Sequence, residues 1–138
     1  MKKIASLLVL LVVFAGCSKQ KRYENDLNGT WTVYKYLYYN TDQTTQYLQA
    51  HQNYTITFTN SGQFTESFTF DSVATVKHGT YHFINYYQGI ALDDTLYIPI
   101  DSTVYDSIYE RQYTLFDLTA ASVQFRDSAD DIYLQKKP

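Results

Sequence analysis

The chain has 138 residues, 15 of them Tyr and 8 Phe, with one Cys and a formal net charge of −3. That length fits a single domain able to bury a core. One Cys excludes an internal disulfide, and an acidic balance with no basic footprint excludes a nucleic-acid partner.

The chain opens with an export signal. Lys2 and Lys3 supply a positive start, and Ile4 to Phe14 form an apolar run of about ten residues, the length of a signal peptide and short of the ~20 needed to span a bilayer. Ala15 and Gly16 are small, as a cleavage site requires, and Cys17 follows at once. The run Phe14-Ala15-Gly16-Cys17 resembles the lipobox of bacterial lipoproteins. That resemblance implies that residues 1–16 are removed and that the Cys17 thiol takes diacylglycerol and its freed amine a further acyl chain of the palmitate type. Several acyl chains make anchoring effectively permanent. Ser18 resembles the pattern that sorts to the outer membrane, so the expected location is the cell envelope, attached through the N-terminal lipid.

Removing residues 1–16 leaves 122 residues in which 14 Asp and Glu face 9 Lys and Arg, a net charge of about −5. Residues 17–26 are polar and read as a lipidated, solvated tether, with Lys19, Lys21 and Arg22 near the headgroups. Residues 27–138 form the domain, and their richness in Tyr, Phe, Thr and Val points to strands.

Gly29 to Tyr39 predicts the first strand, with Trp31, Val33 and Leu37 on one parity and Thr32, Tyr34, Tyr36 and Tyr38 on the other. Gln46 to Ala50 predicts a short helix. Asn53 to Thr59 alternates Tyr54, Ile56 and Phe58 with threonines, turns at Asn60-Ser61-Gly62, and returns through Phe64, Phe68 and Phe70. Two further pairs are expected, Val73–Lys77 with Thr80–Asn85 about His78-Gly79, and Gly89–Leu92 with Leu96–Ile100 about Asp93-Asp94-Thr95. Arg111–Leu118, Ser122–Arg126 and Ile132–Gln135 close the chain, and Pro99 belongs at a strand end or edge because it cannot donate to the ladder. Eight to ten short strands at regular spacing mean an antiparallel barrel or sandwich.

The stretch Leu27-Asn28-Gly29-Thr30-Trp31-Thr32-Val33 resembles the opening Gly-x-Trp motif of the lipocalins, and in particular the short lipocalin-like domains of bacterial lipoproteins. The Phe-rich hairpin from Ile56 to Phe68, the strand Gly79-Thr80-Tyr81 and the run Tyr113 to Thr119 follow in the same order. The resemblance implies an all-β, up-and-down barrel of about eight strands. It also implies that Gly29 lets the chain enter the barrel base, that Trp31 plugs that base, and that an Arg lies across the indole. Arg126 is the first candidate for that contact and Arg111 the second.

No catalytic set emerges. No Gly-x-Ser-x-Gly elbow, phosphate loop or His-Glu-x-x-His occurs. His78 and His82 flank a Gly, yet they and His51 lack neighbours at metal-ligand spacing. Asp127, Asp130 and Asp131 read as a solvated hairpin turn rather than a calcium loop, and Asp93, Asp94, Asp101 and Asp106 read the same way. No metal or cofactor is implied. The expected function is binding: a membrane-anchored barrel holding a small apolar or amphipathic ligand, with Tyr34, Tyr54, Phe64, Phe68 and Phe83 as the lining. The alternative is a solid barrel that docks an envelope partner and takes no small molecule.

Overall fold

The computed structural model describes residues 19–100 and 103–138, with the backbone alone for residues 95–100 and 103–109. The export signal and Cys17 lie outside the described residues.

Residues 19–27 are helical (α1), where the sequence predicts a solvated tether. Tyr23 and Leu27, four apart, share one helix face. Tyr23 sets its ring edge-on to Phe83 at 6.0 Å and against Tyr87 at 5.7 Å, and Leu27 is fully buried. These apolar contacts dock the segment on the domain.

Nine strands follow: β1 (Gly29–Tyr38), β2 (Thr41–Asp42), β3 (Gln52–Phe58), β4 (Gln63–Phe70), β5 (Val73–Ile84), β6 (Gly89–Ile100), β7 (Thr103–Phe116), β8 (Ser122–Arg126) and β9 (Asp130–Lys136). A short helix, α2 (Thr44–Ala50), lies between β2 and β3, as the sequence predicts, and a turn at Asn85–Tyr87, whose three residues all have positive φ, joins β5 to β6. Strands β3 to β9 pair each with the next, β1 pairs with both β3 and β9, and every pairing is antiparallel. The result is the expected closed, up-and-down barrel of eight strands, with β2 added as a two-residue fringe on the end of β1. Closure leaves no exposed edge along the fully paired part of the sheet.

Two expected hairpin turns are absent. β5 runs unbroken through His78-Gly79, and β6 runs unbroken through Asp93-Asp94-Thr95. Gly79 serves close approach instead of a turn: a Cβ there would stand 2.2 Å from the Asp93 carbonyl oxygen and 2.7 Å from the Phe64 ring. Asp94 is buried and ion-paired, which removes the need for a solvated bend. Pro99 lies at the penultimate position of β6, in keeping with its missing donor.

The parity of β1 changes partway. Val33 pairs with Leu134 and Lys35 with Tyr133, neighbours on β9 but two apart on β1, so Tyr34 is the extra residue of a bulge. Below it Trp31 and Val33 face the interior; above it Tyr36 does, displacing Leu37 from the inward parity that strict alternation predicts. Trp31, Phe58, Phe64, Ile56, Ile90 and Leu134 fill the interior at and above the base.

The base is closed around Trp31. Its indole N–H donates to the Leu27 carbonyl oxygen at 2.7 Å, and the Lys136 ammonium stands 4.8 Å from the ring centroid. Lys136 also donates to the Asp26 and Asn28 carbonyl oxygens at 2.7 Å each, supplying partners for carbonyls at the end of α1 that no helical turn satisfies. Gly29, at φ +125°, lets the chain turn from α1 into the barrel beneath that lysine. The cation across the indole is therefore Lys136, opposite Trp31 in the β1–β9 register, and neither Arg126 nor Arg111. Arg126 is drawn to the outer face of the opposite end by the Asp131 carboxylate and lies over the Phe116 ring at 4.7 Å.

Candidate functional site

The interior narrows to packed side chains at the base and opens into a cavity of about 180 Å³ at the mouth. Each of the eight barrel strands and α2 contribute to its lining. Helix α2 is pinned over it: the Thr44 N–H and hydroxyl both donate to Asp42 Oδ1, and Thr44 Oγ1 accepts from the Tyr36 N–H at 2.9 Å. The helix lays Tyr47 over Tyr36 at 4.4 Å, and His51 over Tyr47 at 4.4 Å, in one stack. Phe68 and Tyr54 face the stack, with His51 5.0 Å from Phe68.

A charged cluster forms one wall. Glu66 is 4 % exposed and Asp94 2 %. Glu66 shares its parity with Phe64 and Phe68 on β4, so alternation points it inward, and Asp94 and Arg111 point inward from β6 and β7. Arg111 Nη2 donates at 2.8 Å to both Glu66 Oε2 and Asp94 Oδ1, and Tyr54 donates its hydroxyl to Glu66 Oε1 at 2.7 Å. Arg111 Nε is buried without a partner among the described residues. Lys77, opposite Glu66 in the β4–β5 register, brings its ammonium to 4.0 Å from Glu66 Oε2 at the rim. On the other side the Tyr36 hydroxyl donates to Asp130.

Titration follows from this setting. Burial raises the Tyr47 and Tyr54 phenols above their ordinary value, and the Glu66 charge adds to the shift. Burial and then the Asp130 bond raise Tyr36. Burial opposes the Arg111 charge, but Glu66 and Asp94 outweigh it and hold the guanidinium protonated.

Of the expected lining residues, Tyr54 and Phe68 face the cavity. Phe64 lies below it in the core, 5.9 Å beneath the Arg111 guanidinium. Tyr34 is 46 % exposed on the outer face beside Tyr133, because it alternates with the inward Val33. Phe83 faces a separate groove of about 370 Å³ at the base between α1 and the Asn85–Tyr87 turn, which no buried charged side chain lines. Glu66, Arg111, Tyr36, Tyr47, His51 and Lys77 join the site without having been picked out as lining. The signal for Glu66 was there in its phenylalanine parity.

The remaining acids and histidines fall elsewhere. Asp131, expected in a solvated turn, is buried on the outer face, where Arg126 and Gln124 donate to it and Arg126 pulls its carboxyl below the usual range. Asp127 does serve the turn, accepting from the Ala129 and Asp130 N–H groups at 2.8 Å. His78 contacts Thr65 at 3.1 Å and His82 stands 3.5 Å from Asp93. Among the described residues no three His, Asp or Glu side chains gather as a metal site would need.

A closed eight-stranded antiparallel barrel, plugged by a tryptophan at one end and hollow at the other, defines a lipocalin-like fold. The fold aligns with a lipocalin-like protein from Bacteroides uniformis at a TM-score of 0.59 and 16 % identity, over 81 % of this chain and 99 % of that one. It aligns as well with an uncharacterized protein from Bacteroides eggerthii, at a TM-score of 0.59 and 14 % identity, over 81 % of this chain and all of the other. No family model and no curated protein matches the sequence.

Proposed function

We propose that the chain is a lipid-anchored binding module of the bacterial envelope. Acylated Cys17 holds it to the outer membrane, and the barrel takes a small amphipathic ligand through its mouth. The reading involves no catalytic step and no cofactor. The observation that supports it is the cavity of about 180 Å³, where stacked rings meet a buried charged cluster.

The volume sets the ligand's size. An apolar cavity of about 150 Å³ takes up benzene, while drug-sized ligands occupy about 300–1,000 Å³. The interior therefore suits one ring with a short polar substituent, not a long acyl chain. Titrating single-ring compounds into the ¹⁵N-labelled domain is expected to give saturable amide shifts at Tyr47, His51 and Phe68. Absence of shifts at millimolar concentrations refutes the ligand reading. The anchor is tested by metabolic labelling with a palmitate analogue. Label is expected on the wild type and not on Cys17→Ala, and a free Cys17 thiol in the native protein refutes it.

A second reading, docking of an envelope protein, draws on Phe70, Val73 and Val76, exposed by 56, 64 and 55 % near the β4–β5 turn. Crosslinking from that turn in cells is expected to recover one consistent partner, lost in Val73→Lys. Recovery of none refutes it.

A further inference from the structure

The chemistry around the mouth is not neutral toward charge. Among the described residues three carboxyl groups, Glu66, Asp94 and Asp130, stand against two cations, Arg111 and Lys77. Arg111 commits Nη2 to Glu66 and Asp94 and brings Nη1 to 3.5 Å from Glu66, while its buried Nε has no partner among the described residues. The Tyr54 and Tyr36 hydroxyl hydrogens are committed as well, to Glu66 and Asp130. What these phenols turn to the cavity is therefore oxygen lone pairs and ring faces. An entering anion would meet mainly acceptors and carboxylates, with Arg111 Nε and Lys77 as the cationic donors, whereas a cation would meet ring quadrupoles and a negative excess.

The protein's own lysine marks the position. The Lys77 ammonium stands 5.6 Å from the Phe68 ring centroid and 4.0 Å from Glu66 Oε2, a cation held between a ring and a carboxylate at the rim. Its side chain is 31 % exposed. Among the described residues, 73–78 of β5 pair only with β4, because the β5–β6 ladder begins at Gly79 and Asp94. The lysine therefore stands on a strand segment with one free side, where it can turn outward and vacate the position. The raised Tyr47 and Tyr54 phenols record the same field, after burial itself.

We infer that the site's ligand is a small organic cation, an arylalkyl ammonium whose charged group replaces the Lys77 ammonium between Phe68 and Glu66 while its ring enters the Tyr36–Tyr47–Tyr54 side of the cavity. This rests on the reading of the cavity as a ligand site.

Three single-ring probes of similar size separate the alternatives: benzylamine, benzyl alcohol and benzoate, titrated calorimetrically at neutral pH into the folded domain. Benzylamine is expected to bind about tenfold or more tighter than benzyl alcohol, the size of one cation–π contact with a facing carboxylate, and benzoate is expected not to bind. Lys77→Met, which removes the competing ammonium, is expected to tighten benzylamine by about three- to tenfold and to leave benzyl alcohol within about twofold. Glu66→Gln is expected to abolish the preference for amine over alcohol. Binding of the alcohol or the benzoate without preference for the amine, or weaker amine binding in Lys77→Met, overturns the cation inference and leaves the cavity reading standing. Binding of none of the three overturns both.

Discussion

Removing the Arg111 guanidinium tests how the buried charges are held. Arg111→Met keeps most of the side-chain volume but strands two carboxylates, Glu66 and Asp94, that are 4 % and 2 % exposed. Each now receives a charge-assisted bond from Nη2 at 2.8 Å. Breaking a buried ion pair on one side costs about 3–5 kcal/mol, because the partner stays buried and uncompensated. With a urea slope of about 1.5 kcal/mol per molar, the unfolding midpoint falls by about 2–3 M. Neutralising the acids in the same chain, as Glu66→Gln and Asp94→Asn with Arg111→Met, removes the stranded charge, and most of the lost stability is expected to return. The assay is urea unfolding followed by far-ultraviolet circular dichroism on wild type, Arg111→Met, the Glu66→Gln and Asp94→Asn double variant, and the triple variant. A midpoint for Arg111→Met within about 0.5 M of wild type refutes the reasoning, since that is under 1 kcal/mol at this slope. A triple variant no more stable than Arg111→Met also refutes it, by assigning the loss to packing.

Three further outcomes follow from the geometry. Burial raises the Tyr54, Tyr81 and Tyr113 phenols, Tyr81 to about 12. Their stabilisation is complete below the unfolded value near pH 10 and is lost as pH rises through the folded values, at about 1.4 kcal/mol per pH unit for each ionising group. Tyrosinate absorbance and loss of β-sheet dichroism are therefore expected to rise together above about pH 11, and ionisation of all tyrosines with the sheet intact contradicts this. Gly79→Ala forces a methyl to within 2.2 Å of the Asp93 carbonyl oxygen. A cost of about 3 kcal/mol, or roughly 10 °C in Tm, is expected by thermal scanning, and a shift under about 3 °C counts against the close-approach role. Lys136→Met removes two 2.7 Å bonds and the cation over Trp31. It is expected to cost about 2 kcal/mol and to shift the emission of the single Trp, while Arg126→Met leaves that emission unchanged; the reverse pattern would restore Arg126 to the indole.

The strands were legible wherever one face is apolar and one polar, as in Tyr54-Thr55-Ile56-Thr57-Phe58 and its return through Phe64 to Phe68. They were misread where a polar residue or a glycine serves the interior. Asp93-Asp94 carries the composition of a turn, and only the distant Arg111 makes Asp94 an interior residue. Gly79 likewise resembles a turn glycine until the Phe64 ring is placed against it. The base plug was readable in Gly29 and Trp31, but its cation was not, because register decides which late-strand side chain stands opposite the indole, and it selects Lys136. The polar stretch before Gly29 concealed the Tyr23–Leu27 stripe that docks it. Tyr36 was missed for a local reason: one bulge at Tyr34 exchanges the faces of β1, which no alternation rule anticipates.

That bulge divides the first strand into two frames. The frame holding Trp31 is committed to sealing and stability, while the frame holding Tyr36 is set afresh one residue later. Substitutions beyond the offset can rewrite what the vessel's opening presents without disturbing its floor. The same scaffold can thus diversify its recognition while keeping one folding solution.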